Sequence, residues 1–298
     1  MPTGTVAVAA HGLAGSRRDL PQGPLDAAAW FDLLEQCRSG QLVGFLAATV
    51  ARGDLVATAG QAEELSVLEA EYAGLSLLVE QRLLTACSLL GAAGIEHRVL
   101  DGPARHQVAY AGSGVRTYES AEVLVPADQS DVARRLPGLA LRPAESAAHA
   151  VARRPRITVR HSVLPESIGA TVGIEQLSAG VPLHVADRQL VGLSIDELLV
   201  VACVELAVDR FSPRWLLGVR DVAELALSSR LDPIHVRRLA EAWQVAEVVA
   251  EMLGLVWQVL DLADKTELSV WALRLGGARA TAVPARRRRP AERSAERA

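Results

Sequence analysis

Between Gly94 and Pro126 the chain gathers most of the residues whose types and spacing could do chemistry. Asp101 stands beside Gly102 in a turn, and Glu122 lies two places after Ser120 in a short run that ends Leu124-Val125-Pro126. Alternate residues on a strand share a face, so Ser120 and Glu122 point the same way, and carboxylates placed like this hold hard cations such as magnesium. Asp101, Glu122 and His161 would make one metal set. The plainer reading of His161, as of His97 and His106, is a hydrogen-bonded histidine on or beside a strand. Arg116 is the best cation for an anionic ligand, and its plainer role is an ion pair with Glu119 or Glu122 that holds the loop. Ser113, in Gly112-Ser113-Gly114, lacks the strand before it and the helix after it that a nucleophile elbow needs.

The elements that must position these residues follow from apolar periodicity. Residues 94–100 read as a short strand, Asp101-Gly102 as a turn, His106 to Tyr110 as a short helix, and Ala121 to Val125 as a second strand. Upstream, Ala27 to Arg52 form two helices around Ser39-Gly40. Gln61 to Leu90 form one long amphipathic helix, with Leu65, Leu68, Tyr72, Leu75, Val79, Leu83, Ala86 and Leu90 at steps of three and four. Downstream come a helix over 128–136 closed by Pro137-Gly138, strands at 157–161 and 181–185, and then helices from Ser194. Ser194 with Glu197 makes a capping box. Four helical stripes follow, over 195–209, 213–228, 233–243 and 245–262, and pack as a bundle.

Composition narrows the function classes. Half of the 298 residues are apolar and 4% aromatic, with one lysine (Lys265), a mix typical of a GC-rich genome and ample for a large core. The formal charge is −4, but from Gly277 onward the tail holds seven arginines against two glutamates, leaving the body near −9. That balance argues against a broad nucleic-acid surface on the folded part. Arg286 to Arg289 leave a weak contact with nucleic acid through the tail; a solvated tail is the plainer reading. Cys37, Cys87 and Cys203 have no paired spacing and read as reduced core residues. No 18-residue apolar span or signal sequence is evident, so a cytoplasmic protein without a membrane segment is the expectation.

Across Gly94 to Pro126 the sequence resembles a family of uncharacterised nucleotidyltransferases, in the DNA polymerase beta-like superfamily. Its signature is "aGI-x-(hydrophobic)-LKG" followed by "Y-P-x-x-G-x-R-x-x-x-D-I-D-L-L-V-P". Gly94, Ile95, Leu100, Gly102, Tyr110, Gly114, Arg116, Leu124, Val125 and Pro126 match without a gap. Leu193-Ser194-Ile195-Asp196-Glu197-Leu198-Leu199 and the run from Trp215 through Asp221 to Leu225 are similar to the family's later helices, and Leu231-Asp232-Pro233 opens a helix at its "iDW" position.

The resemblance implies an α+β fold: a small mixed nucleotidyltransferase-type sheet with helices, flanked by N-terminal helices and a C-terminal helical bundle. Taken with composition, which marks both ends as poor in large apolar residues, the expected division is a flexible segment 1–26, a helical region 27–90, an α/β core 91–192, a bundle 193–275 and a disordered Arg-rich tail 276–298.

It also implies where the chemistry should sit, and there the sequence departs from the pattern. The turn lysine is Asp101, the first aspartate is Ser120, the second is Glu122, and the third carboxylate, expected on the strand Ile157-Thr158-Val159-Arg160-His161, falls on Val159. Two-metal nucleotidyl transfer needs carboxylates at these places. Glu122 is the one ligand left for a metal, and Arg160 beside it would oppose one. Asp101 repels a phosphate unless a metal lies between, Pro103 removes an N–H beside it, and Asp101, Gly102, Arg116 and His161 are the expected ligand contacts. The favoured expectation is a degenerate family member, without cofactor, that binds a small molecule or a protein partner. The alternative is an active enzyme that uses magnesium and a nucleoside triphosphate to modify a small molecule or protein. A helical structural protein outside the family is disfavoured by the gapless match.

Overall fold

A computed structural model describes residues 3–110, 114–136, 155–263 and 265–282. Ser113, the Pro137-Gly138 stop and Arg286 to Arg289 lie outside the described residues.

The chain begins with helix α1 (Thr3–Ala10), then α2 (Ala27–Ser39), α3 (Val43–Ala51) and the 34-residue α4 (Ala59–Ala92). A side chain caps α2 through Asp26, and Thr58 with Gln61 forms a capping box that starts α4. The expected flexible N-terminus is corrected over α1. Val8, Ala9 and Ala10 are fully buried, and the helix packs on α2, α3 and α8 (Trp215–Ala226). Its Gly/Ala-rich composition suggests disorder locally, but small side chains also let a helix enter a tight space. The Arg220 guanidinium closes its C-terminal end by donating to the Ala9 and His11 carbonyls at 2.6 and 2.7 Å.

By length and composition α4 could cross a membrane, contrary to the expectation of no such span. One stripe of it, Leu65, Tyr72, Val79, Leu83 and Leu90, instead enters the core. Its polar groups also bond the rest of the fold: Glu64 accepts from the Trp30 indole N–H at 2.9 Å, and Arg82 donates to the Pro155 carbonyl at 2.6 Å.

Strand β1 (Arg98–Val99) leads through the Asp101-Gly102 turn into α5 (Pro103–Tyr110), and β2 (Ser120–Leu124) returns beside it. Gly102 has φ of +70°, and a β-carbon there would sit 2.7 Å from the Ser120 carbonyl oxygen, so this turn accepts only glycine without distortion. A short 3-10 turn and α6 (Ser130–Arg135) follow, then β3 (Arg156–Arg160) and a hairpin, β4 (Val181–Val185) and β5 (Arg188–Gly192). The sheet order is β3-β2-β1-β5-β4. Strand β2 runs antiparallel to β1 and parallel to β3, and β5 runs parallel to β1 and antiparallel to β4. At the β4 edge the Gln107 side chain both donates to the His184 carbonyl and accepts from its N–H.

The C-terminal helices are α7 (Ile195–Val208), α8, α9 (Pro233–Ala242), α10 (Ala246–Val259) and α11 (Glu267–Ala282). The Ser194–Glu197 capping box forms, and Glu197, fully buried, also accepts from Ser178. Helix α11 extends past residue 275, where the sequence suggested a tail. The result is the expected α+β architecture. Sheet and helices share one apolar core that runs from Val6 to Ala272.

Candidate functional site

Two backbone approaches hold neighbouring segments close to α3 and to the entry of α8. A β-carbon on Gly44 of α3 would lie 2.2 Å from the Val115 carbonyl oxygen, so the missing side chain lets the loop that carries Arg116 press onto α3. A β-carbon on Gly40 would lie 3.5 Å from the Pro213 carbonyl oxygen, at the entry to α8. The cleft between the β2–β3 surface, the α5 turn, α7 and α8 has a volume of about 510 Å³.

Asp101, Ser120, Glu122, Val159, His161 and Arg116 all border this cleft. Strand register then separates them. In the parallel β2–β3 ladder Ser120 pairs with Arg156, Glu122 with Thr158 and Leu124 with Arg160, whereas Val159 pairs with Val123. Paired residues share a face. The cleft-facing position level with Glu122 is therefore Thr158, with Arg160 next along, and Val159 lies with fully buried Val123 on the other face. Thr158 offers a hydroxyl there and Arg160 a positive charge, so neither supplies the missing carboxylate.

The Arg160 guanidinium occupies the space before Glu122. Its Nη1 donates to Glu122 Oε2 at 2.6 Å and to Glu205 Oε1 at 3.0 Å, and Nη2 donates to the Val163 carbonyl at 3.0 Å. Arg105 of α5 bonds the other oxygen of Glu205 and stands 3.3 Å from Asp101 Oδ1. Arg116 holds Asp221 with two hydrogen bonds of 2.8 Å and approaches Asp101 at 3.4 Å. Arg116 thus pairs with Asp221 and with Asp101. Tyr110 donates to the same Asp221 at 2.6 Å, and His106 Nδ1 donates to the Arg116 carbonyl at 2.9 Å. Three guanidiniums and four carboxylates form one connected cluster.

The electrostatics follow from this pairing. Burial alone would raise the Asp101 carboxyl, but Arg105, Arg116 and the Gly102 N–H outweigh it and hold the group below its ordinary value. Glu122 moves the other way, raised by burial and by Glu205 beside it, against the pull of Arg160. Burial opposes the charge on Arg105, yet Glu205, Asp101 and Asp221 keep it firmly protonated. Tyr110 is pushed well up by burial and by Asp221, so it stays a donor. Burial lowers His106 despite its bond to the Arg116 carbonyl. Burial also pushes the Cys37 and Cys87 thiols up to about 12, as inert core thiols.

The family described as uncharacterised nucleotidyltransferase matches residues 26–261. The chain belongs to that family. No curated protein and no solved structure matches it. For a nucleotidyltransferase of this family, the donor set does not fit divalent metal. Glu122 is engaged by a guanidinium, Ser120 is neutral and Thr158 stands level with Glu122. Among the described residues no group of three or more His, Cys, Asp or Glu could hold a metal ion.

Glu205 and Asp221 complete the nucleotidyltransferase cleft, and sequence reasoning did not select them. Each left a signal: both are acidic residues embedded in strongly apolar helical stretches, a placement that needs a buried partner.

Proposed function

We propose that this member of the nucleotidyltransferase family has given up metal-dependent transfer and works by binding a small molecule in the cleft. The observation that carries this reading is Arg160 lodged between Glu122 and Glu205. A divalent ion at a transfer site orients the triphosphate and activates the attacking oxygen. A guanidinium donates hydrogen bonds but does not activate a hydroxyl in that way. The rest of the cluster supports the same reading, since every acidic group in it already has a cationic neighbour. A protein partner is the second reading, favoured by Phe211, a fully exposed aromatic beside cleft residues Asp209 and Ser212.

The test is calorimetric titration with each of the four nucleoside triphosphates, with and without magnesium. No magnesium-dependent binding is expected. Magnesium-dependent binding that disappears in Glu122→Ala would overturn the reading in favour of an active enzyme.

A further inference from the structure

Three buried hydrogen-bond donors on three separate segments that border this cleft have no partner among the described residues. They are Nε2 of Gln41, in the α2–α3 turn, Nη1 of Arg116 and Nε1 of Trp215, the first residue of α8. Gln41 and Arg116 are more than nine-tenths buried, and all three residues border the cleft. The Gly44–Val115 and Gly40–Pro213 approaches bring their segments together. Folded proteins bond almost all of their buried donors, so three unpaired ones around one cavity form a built arrangement.

The kind of group they want can be read from the atoms. All three are N–H donors, and the charge of Arg116 is already balanced by its two bonds to Asp221. A ligand group that donates nothing and accepts from several directions would satisfy them. We infer that Gln41, Arg116 and Trp215 form a subsite for an oxyanion, a carboxylate or a phosphate, held by hydrogen bonds without a metal ion. The inference rests on the binding reading above and deepens it by naming the chemistry of the group bound. The donors are withdrawn from water in the free protein, so the oxyanion enters as the Gln41 amide and the Trp215 indole turn towards it.

The subsite makes an unusual pair of demands. Replacing an unbonded donor by an apolar group of similar shape removes a cost from the free protein and also removes a ligand contact. Gln41→Met and Trp215→Phe are each expected to raise the melting temperature by a few degrees and to weaken oxyanion binding about tenfold.

Binding is read without nucleotide or metal, from the side-chain indole resonances of the five tryptophans during titration with orthophosphate and, separately, succinate. The Trp215 signal is identified by its loss in Trp215→Phe. It is expected to move downfield saturably with one anion or both, and the stronger of the two tells phosphate from carboxylate. A Trp215 resonance unmoved by either anion overturns the subsite. So does a fall in melting temperature in both variants, which would mean that ordered water already satisfies these donors. Neither result bears on the magnesium titration, so the two proposals fail separately.

Discussion

At the scale of single residues, the cleft is governed by which charge each carboxylate faces. Glu122 and Glu205 share Arg160, and Glu122 carries a pKa raised by burial and by its acidic neighbour. A raised carboxyl binds its proton more tightly in the folded state than in the unfolded one. Stability therefore falls as pH rises from 4.5 through the folded value. Glu122→Gln removes that pH dependence and leaves Arg160 paired with Glu205. Its melting temperature at pH 7 should be no lower than that of the parent, and the decline of stability just above pH 4.5 should shrink, as a pH series of thermal melts would reveal. Asp101 titrates with the opposite sign, since its lowered pKa contributes stability above 3.8 that is lost as pH falls through the folded value.

Asp221 is the counter-case, because it has no stand-in. Asp221→Ala leaves Arg116 buried with only the 3.4 Å approach of Asp101 and takes the acceptor from Tyr110. A loss of about 3–5 kcal/mol is expected on urea denaturation. A loss below about 1 kcal/mol, the worth of an exposed pair, would mean that the pair is open to solvent.

At the scale of elements, glycines decide how closely segments meet. Gly44→Ala drives a β-carbon to 2.2 Å from the Val115 carbonyl oxygen, backbone that cannot swing aside as a side chain would. It should cost about 2 kcal/mol or more in denaturant titration and loosen the Arg116 loop. Gly74→Ala, on α4 with nothing within 4 Å of the added carbon, should instead stabilise by about 0.5–1 kcal/mol. Equal responses from the two variants would refute the packing argument.

The element scale also shows what the sequence could and could not disclose. The stripes of α4, α7 and α8 were legible because apolar periodicity is a local property, and so were the capping box at Ser194 and the turn at Gly102. Strand β5 was not, since only Leu190, Val191 and Gly192 of its residues are apolar and its hairpin turns at Ala186, with φ of +51° and no glycine to mark it. The face of β3 was also illegible. A one-residue difference in register moves every side chain to the other side, and only the ladder shows that Thr158, not Val159, stands level with Glu122. Glu205 and Asp221 meet their partners across roughly a hundred residues of chain, a distance that spacing rules do not reach.

At the scale of the whole molecule, N- and C-terminal segments stabilise one another. Ser16 bridges to Leu262, and Arg220 of α8 ties down the end of α1 while its guanidinium lies 5.0 Å from the centre of the Phe45 ring. Removing residues 1–14 would strip Val6, Val8, Ala9 and Ala10 from the core and leave Arg220 donating to nothing at that end. The expected loss is on the order of 5 kcal/mol, comparable with the whole stability of a marginal domain. A shortened chain that melts within a degree or two of the full one would show that α1 adds little.

The placement of Arg160 has a further consequence for how this cleft behaves in any medium. A bound ion arrives by diffusion, competes with other ions, and leaves when a chelator or dialysis lowers its concentration. The positive charge between Glu122 and Glu205 is covalently joined to the chain. It is delivered by translation in fixed stoichiometry, and it cannot be exchanged for a neighbour in the periodic table.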